Sequence, residues 1–202
     1  GQLGRMFVHE AQRMGYQTVV LDPDRSSPAG LVSHHHVCAD YTDAQALAEL
    51  TRRCDAITTE FENVPAAALA ELARHVPVSP RAEAVAVAQD RAAEKAHFVR
   101  CGVAVAPHAV IDSEAALAAV DAALLPGILK TTRLGYDGKG QVRVGTRDEL
   151  NAAWAELGRV PCVLEQRLPL AAECSVIVAR GHDGAMVHLP VQRNLHRNGI
   201  LA

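Results

Sequence analysis

Short apolar runs alternate with stretches of helical spacing across the first 80 residues, and that rhythm constrains the fold more than any other feature. Leu3, Met6, Phe7, Ala11 and Met14 recur on one helical face, and Gly15 is placed to stop the helix. Thr18 to Leu21 is apolar and ends in Asp22-Pro23-Asp24, which reads as a strand and a turn. Asp43 is suited to cap a helix over residues 44–54. Residues 56–59 read as a second strand, and Pro65 stands where a helix can begin. Strand and helix in alternation imply parallel strands wrapped by helices, an α/β arrangement. Ligands of such sheets lie beyond the carboxyl ends of the strands. Glu60 and Glu62 follow the second strand and fall on that edge, as ligand contacts or as two solvated loop acids.

The pattern then changes. Residues 80–101 are rich in alanine and read as one helix stopped by Gly102, with Asp90, Arg91, Glu94 and Lys95 as ion pairs on its face. Ser113 is suited to cap a helix reaching about residue 123. Residues 128–131 and 141–144 read as strands joined by a glycine-rich loop, residues 148–157 as a helix, and residues 161–165, 174–178 and 185–189 as strands. Hairpins have replaced crossovers, so an α+β region follows the α/β one.

Composition closes off several function classes. The formal net charge of -3 and an aromatic content of 3% supply neither a basic footprint nor a stacking platform, so no nucleic-acid partner is expected. No apolar run approaches the roughly 18 residues that span a bilayer, so no membrane association is expected. The five cysteines lack metal-ligand spacing and read as reduced thiols, in keeping with a cytoplasmic setting and no leader pattern. Three adjacent histidines, His34 to His36, cannot all face one ion, so they do not suggest a metal site. Both ends read as cut. Gly1-Gln2-Leu3-Gly4 looks like the tail of a glycine-rich turn whose strand would precede it, and Asn198 to Ala202 stop without a closing element.

The chemistry concentrates between Lys130 and Gln141. Gly135, Gly138 and Gly140 fall within six residues, which lets a loop turn several amide N–H groups toward one anion. The chain holds three lysines against seventeen arginines, and two of the three, Lys130 and Lys139, fall here. A compact ammonium suits a polyphosphate, and Lys130 has no evident structural partner. The loop is not a Walker A loop, because no G-K-[ST] opens a helix; a plain hairpin is the other reading. Asn194 to Gly199 is dense in hydrogen-bonding side chains and fits either a turn or a site.

Five runs taken together carry a resemblance. Gly1-Gln-Leu-Gly-Arg-Met6, Thr59-Glu-Phe-Glu-Asn-Val64, Gln89-Asp-Arg91 with Glu94-Lys95, Gly135-Tyr-Asp-Gly-Lys-Gly-Gln141 and Asn194-Leu-His-Arg-Asn-Gly-Ile-Leu201 resemble, in order, the 5-(carboxyamino)imidazole ribonucleotide synthases (PurK type) of the ATP-grasp superfamily. The resemblance implies a Rossmann-like (pre-ATP-grasp) parallel sheet over residues 1–90, a helical linker over 91–112, an α+β lid over 113–176 and the start of the C-terminal ATP-grasp domain over 177–202. It implies an ATP-dependent carbon–nitrogen ligase of purine biosynthesis that carboxylates 5-aminoimidazole ribonucleotide with bicarbonate, as a homodimer.

Carried over by position, Arg91, Lys130, Gly135, Tyr136, Asp137, Gly138, Lys139, Gly140, Gln141, Glu165, Gln166, Arg167, Leu168, Glu173 and His196 are implied to contact ATP. Residues 165–168 would line the adenine and Glu173 the ribose. Gln2 and Leu3 are implied to meet the phosphate of the imidazole ribonucleotide, with Glu60 and Glu62 on the same substrate. The family's magnesium-binding acids lie beyond Ala202, so no metal ligand is assigned in this chain, and a piece limited to residues 1–202 is expected not to turn over. Leu134 stands where the family often has glycine, and Gln192-Arg193 where an acid is common. The nearest rivals are another ATP-grasp ligase, such as the formate-dependent glycinamide ribonucleotide transformylase, and a nucleotide-binding fragment without catalysis.

Overall fold

The computed structural model describes residues 1–135, 139–197 and 200–201. It divides into two compact units, Gly1–Gly102 and Val103–Ala202.

The first unit runs α1 (Gln2–Arg13), β1 (Val19–Leu21), β2 (His35–Val37), α2 (Ala44–Arg53), β3 (Ile57–Thr58), α3 (Ala66–Leu72), β4 (Val78–Ser79), α4 (Ala82–Ala88) and α5 (Arg91–Arg100). β1 pairs parallel with β2, and β3 parallel with β4. The parallel sheet anticipated from the alternation is thus two separate pairs. One apolar layer spans both: Leu47 and Leu50 of α2 and Ala68 and Leu72 of α3 pack on Val19, Leu21, Ile57 and Val78. Asp43 caps α2, accepting from the Ala46 amide at 2.8 Å.

The alanine-rich stretch is two helices rather than one. Asp90 leaves helical geometry (φ -132°, ψ 111°), and its carboxylate accepts from the Ala92 and Ala93 amides at 3.0 and 3.1 Å. A short acid that satisfies the orphan donors of a new helix wins over helical continuity. The three histidines diverge. His34 Nδ1 lies 3.1 Å from the Thr18 amide, His35 Nε2 2.9 Å from Glu49 Oε1, and His36 Nε2 3.0 Å from the Asp22 carbonyl. Each fixes a different strand or turn.

The second unit runs β5 (His108–Ile111), α6 (Glu114–Ala118), β6 (Gly127–Thr131), β7 (Gln141–Val144), α7 (Arg147–Glu156), β8 (Cys162–Gln166), β9 (Glu173–Ser175), β10 (Val178–Arg180), β11 (Met186–His188), β12 (Gln192–Asn194), β13 (His196–Arg197) and β14 (Ile200–Leu201). Four strands form an antiparallel sheet in the order β5-β8-β6-β7. One face of it, with Ile111, Leu129, Val144, Cys162 and Leu164, packs against Leu150, Ala153 and Trp154 of α7. The helix anticipated to residue 123 stops at Ala118. Arg147 donates to the Leu117 and Val120 carbonyls, and Asp121 caps a separate turn by accepting from the Ala123 amide at 2.9 Å. The strand anticipated over 174–178 is likewise divided, since β9 pairs with β12 and β10 with β11.

Candidate functional site

Side chains alternate across a strand, so the face of the four-stranded sheet turned away from α7 carries the other half of each strand. It holds Ile128 and Lys130 of β6, Gln141 and Arg143 of β7, Val163 and Glu165 of β8, and His108 of β5. Lys130 lies opposite Val163 in the register, which makes Glu165 its diagonal neighbour. The Lys130 Nζ to Glu165 Oε2 distance is 2.8 Å, with 23% and 17% of the two side chains exposed. The expectation that Lys130 has no structural partner is therefore corrected. The partner stands 35 positions away, and only the β6–β8 register brings it near.

Beyond Lys130 the chain enters the glycine-rich loop. The Thr131 amide donates to the Gly140 carbonyl at 2.9 Å, closing its base. Gly140 has φ +68°, and a Cβ there would lie 2.7 Å from Thr131 Oγ1, so glycine is required twice over. Leu134, exposed on the way in, has φ 60°. Lys139 is exposed. Tyr136, Asp137 and Gly138 lie outside the described residues.

The stretch implied to line adenine leaves the sheet at the end of β8. Gln166 turns to the opposite side, donating to the Ala123 carbonyl at 2.9 Å, as strand alternation requires. The Arg167 amide donates to the Pro126 carbonyl at 2.9 Å, and Leu168 is exposed. Further on, Glu173 of β9 lies directly opposite Asn194 of β12. Asn194 Nδ2 donates to Glu173 Oε1 at 2.9 Å while its Oδ1 accepts from Ser175 Oγ at 3.0 Å. His196 Nε2 is 3.5 Å from the same Glu173 oxygen. The structure thus gathers Lys130 with Glu165, and Glu173 with His196. Asn194 opens the run that fits either a turn or a site, whereas Ser175 was not singled out; only the pairing of β9 with β12 links the two to Glu173.

In the first unit, Gln2 and Leu3 open α1 with exposed side chains, and Arg91 opens α5. Glu60 leans over the first turn of α1: a Cβ on Gly4 would lie 2.9 Å from Glu60 Oε1 and 3.2 Å from the Ala29 Cβ. The acidic loop is pinned by Gln89, whose Nε2 donates to the Glu62 and Val64 carbonyls. Glu62 itself is exposed. Tyr41 is a residue the sequence did not reveal. Burial first, then the negative charges of Asp22, Glu60 and Asp40, hold its phenol above the ordinary range.

The model of the ribonucleotide synthetase preATP-grasp domain matches residues 1–89, and that of the ATP-grasp domain matches residues 96–202, more than half of the chain. The chain belongs to the ATP-grasp family. Among ATP-grasp relatives, a Brucella melitensis biotype 1 protein named N5-carboxyaminoimidazole ribonucleotide synthase is 43% identical over all of this chain and 57% of its own length. A Pseudomonas aeruginosa protein of the same name is 41% identical over the whole chain and 56% of its own. A solved N5-carboxyaminoimidazole ribonucleotide synthetase in complex with ADP superposes with a TM-score of 0.92 at 36% identity, over 100% of this chain and 54% of that one. The chain thus spans about half the length of the relatives it matches. No helix among the described residues of this ATP-grasp chain is long and apolar enough to cross a membrane.

Proposed function

We propose that this chain supplies the nucleotide clamp and substrate-binding domain of an ATP-dependent carboxylase acting on 5-aminoimidazole ribonucleotide. One observation carries the reading: on the sheet face turned away from α7, a partly covered lysine ammonium stands next to the base of a glycine-rich loop. Such a face offers a point charge and amide donors to a polyphosphate with a rigid backing. The relatives' shared name, and an Aspergillus clavatus N5-carboxyaminoimidazole synthase solved with ADP and 5-aminoimidazole ribonucleotide (TM-score 0.85, 29% identity, 100% of this chain and 53% of that one), supply the substrate classes. Lys130 and residues 135–141 take the phosphates, residues 165–168 the base, and Glu173 with His196 the ribose. Arg91 joins the nucleotide, and Gln2, Leu3, Glu60 and Glu62 meet the ribonucleotide. Residues 1–90 form the substrate domain, 91–112 a linker, 113–176 the lid and 177–202 the opening of the C-terminal domain.

In the reaction, a bicarbonate oxygen attacks the γ-phosphorus of ATP and ADP leaves. The resulting carboxyphosphate breaks into carbon dioxide and phosphate. The amine of 5-aminoimidazole ribonucleotide then attacks carbon dioxide and loses a proton. The chain's share is to hold the phosphates against Lys130 and the loop amides, where charge develops, and to keep water from the acyl phosphate. ATP chemistry of this class uses magnesium. Among the described residues no three His, Cys, Asp or Glu side chains gather to hold a metal ion, and no step is routed through magnesium. A homodimer and a cytoplasmic location follow from the resemblance.

The test is Lys130→Ala in the full-length protein. Loss of one charge-assisted contact costs about 1.5–3 kcal/mol, which is roughly ten- to a hundredfold weaker ATP binding by calorimetry. Unchanged affinity, or ATP consumption that 5-aminoimidazole ribonucleotide and bicarbonate do not stimulate, would sink the reading.

A further inference from the structure

The Lys130–Glu165 pair assigns a role to Glu165 that its place in the stretch implied to line adenine does not suggest. We infer that Glu165, whose stretch lies along the base, uses its carboxylate as a positioning group for the phosphate end of the nucleotide, acting through Lys130. The inference rests on the nucleotide reading above.

Three observations carry it. Glu165 lies on the same sheet face as Lys130, two residues from Val163, which is the residue paired with Lys130. Its Oε2 accepts from Nζ at 2.8 Å, with both side chains largely covered. Gln166, the next residue of β8, is engaged on the opposite face with the Ala123 carbonyl. A lysine head sits on a flexible four-carbon stem and has three donors. One donor given to Glu165 fixes the direction of the stem and leaves two for phosphate oxygens. The carboxylate thereby sets where the ammonium waits before any nucleotide arrives. The interaction is ordered by register, so it reports on the alignment of β6 with β8.

The experiment is a double-mutant cycle in the full-length protein, read by nucleotide binding and checked by thermal melting. Glu165→Gln keeps the shape and removes the charge. It is expected to weaken ATP about tenfold, the scale of one charge-assisted contact. In the Lys130→Ala background the same substitution is expected to weaken ATP by less than about twofold, because its route is already gone. Adenosine, displacing a fluorescent nucleotide, is expected to bind Glu165→Gln and the unaltered protein alike. An additive cycle, or an equal loss for adenosine and ATP, would overturn the inference while leaving the nucleotide site standing. An unaltered protein that binds no ATP would overturn both. Glu165→Asp, which keeps the charge on a shorter stem, is expected to recover part of the ATP affinity and none of any loss due to misfolding.

Discussion

Asn194 stands directly across from Glu173 in the β9–β12 ladder, and its amide nitrogen holds the carboxylate oxygen that His196 also approaches. The Ser175 hydroxyl holds the other end of the same amide, so the orientation of Asn194 is set from both sides. Asn194→Ala frees the Glu173 carboxylate to rotate. Because Glu173 is half exposed, the loss is expected below the usual range for a bond to a charged group, at about 1 kcal/mol or roughly fivefold in ATP affinity. Calorimetry on the full-length variant checks it, with an unchanged melting temperature showing that the ladder survives.

Gly4 is where the acidic loop meets the first helix. Gly4→Ala brings a methyl to within 2.9 Å of Glu60 Oε1, and the flexible carboxylate end must swing away. Alanine is the better helix former by about 1 kcal/mol, which offsets the tight 3.2 Å approach of the new methyl to the buried Ala29 Cβ, so stability is expected to change little. The expected signature is a KM for 5-aminoimidazole ribonucleotide raised roughly fivefold, equivalent to about 1 kcal/mol, with the KM for ATP unchanged. Equal changes in both would detach Glu60 from the substrate side.

Much of the local structure was legible because it is local. Asp43 and Ser113 announce their helices, and each caps one. What escaped is set by partners far along the chain. β2 and β4 are three and two residues long, too short to show a period, and they exist because β1 and β3 offer a parallel edge. The break at Asp90 escaped because alanine-rich stretches lie on both sides of it and one capping carboxylate decides the matter. At the candidate site, Lys130 and the glycines stood out by type. The pairing of Lys130 with Glu165, and of Glu173 with Asn194, needed a register that no residue type discloses.

Leu134 has a backbone angle that leucine rarely adopts, φ 60°. The left-handed region costs a branched or bulky residue roughly 1–2 kcal/mol. Glycine removes that strain but loses about 0.5–1 kcal/mol through greater freedom in the unfolded chain. Leu134→Gly is therefore expected to leave stability level or raise it by up to about 1.5 kcal/mol, although it deletes a whole side chain. Urea denaturation of the variant measures this. A clear loss would mean that the exposed leucine packs on something that the strain argument omits.

Glu49 gives a pH signature to the first unit. The hydrogen bond from His35, then that from Arg53, holds its carboxyl below the ordinary value of about 4.5. A carboxylate with a lowered folded value favours the folded state above the ordinary value. That contribution fades as pH falls through the lowered one. Exchange of His35 for asparagine removes the largest cause. The variant is expected to lose less stability than the parent on going from about pH 5 to about pH 3, by chemical denaturation at each pH. Parallel losses in both would show that the His35–Glu49 contact carries no proton linkage.

The two faces of β6 give the second unit a reading frame. Leu129 is sealed against α7 and Lys130 faces the opposite side, although they are neighbours in the chain. Inserting or deleting one residue within β6 would drive an ammonium into the apolar layer and set a leucine where the phosphates are expected. Two residues would restore the alternation and still part Lys130 from Glu165. Length changes in this unit are therefore expected to be tolerated only in its turns, and a β6 that keeps its residue count is a precondition for the clamp.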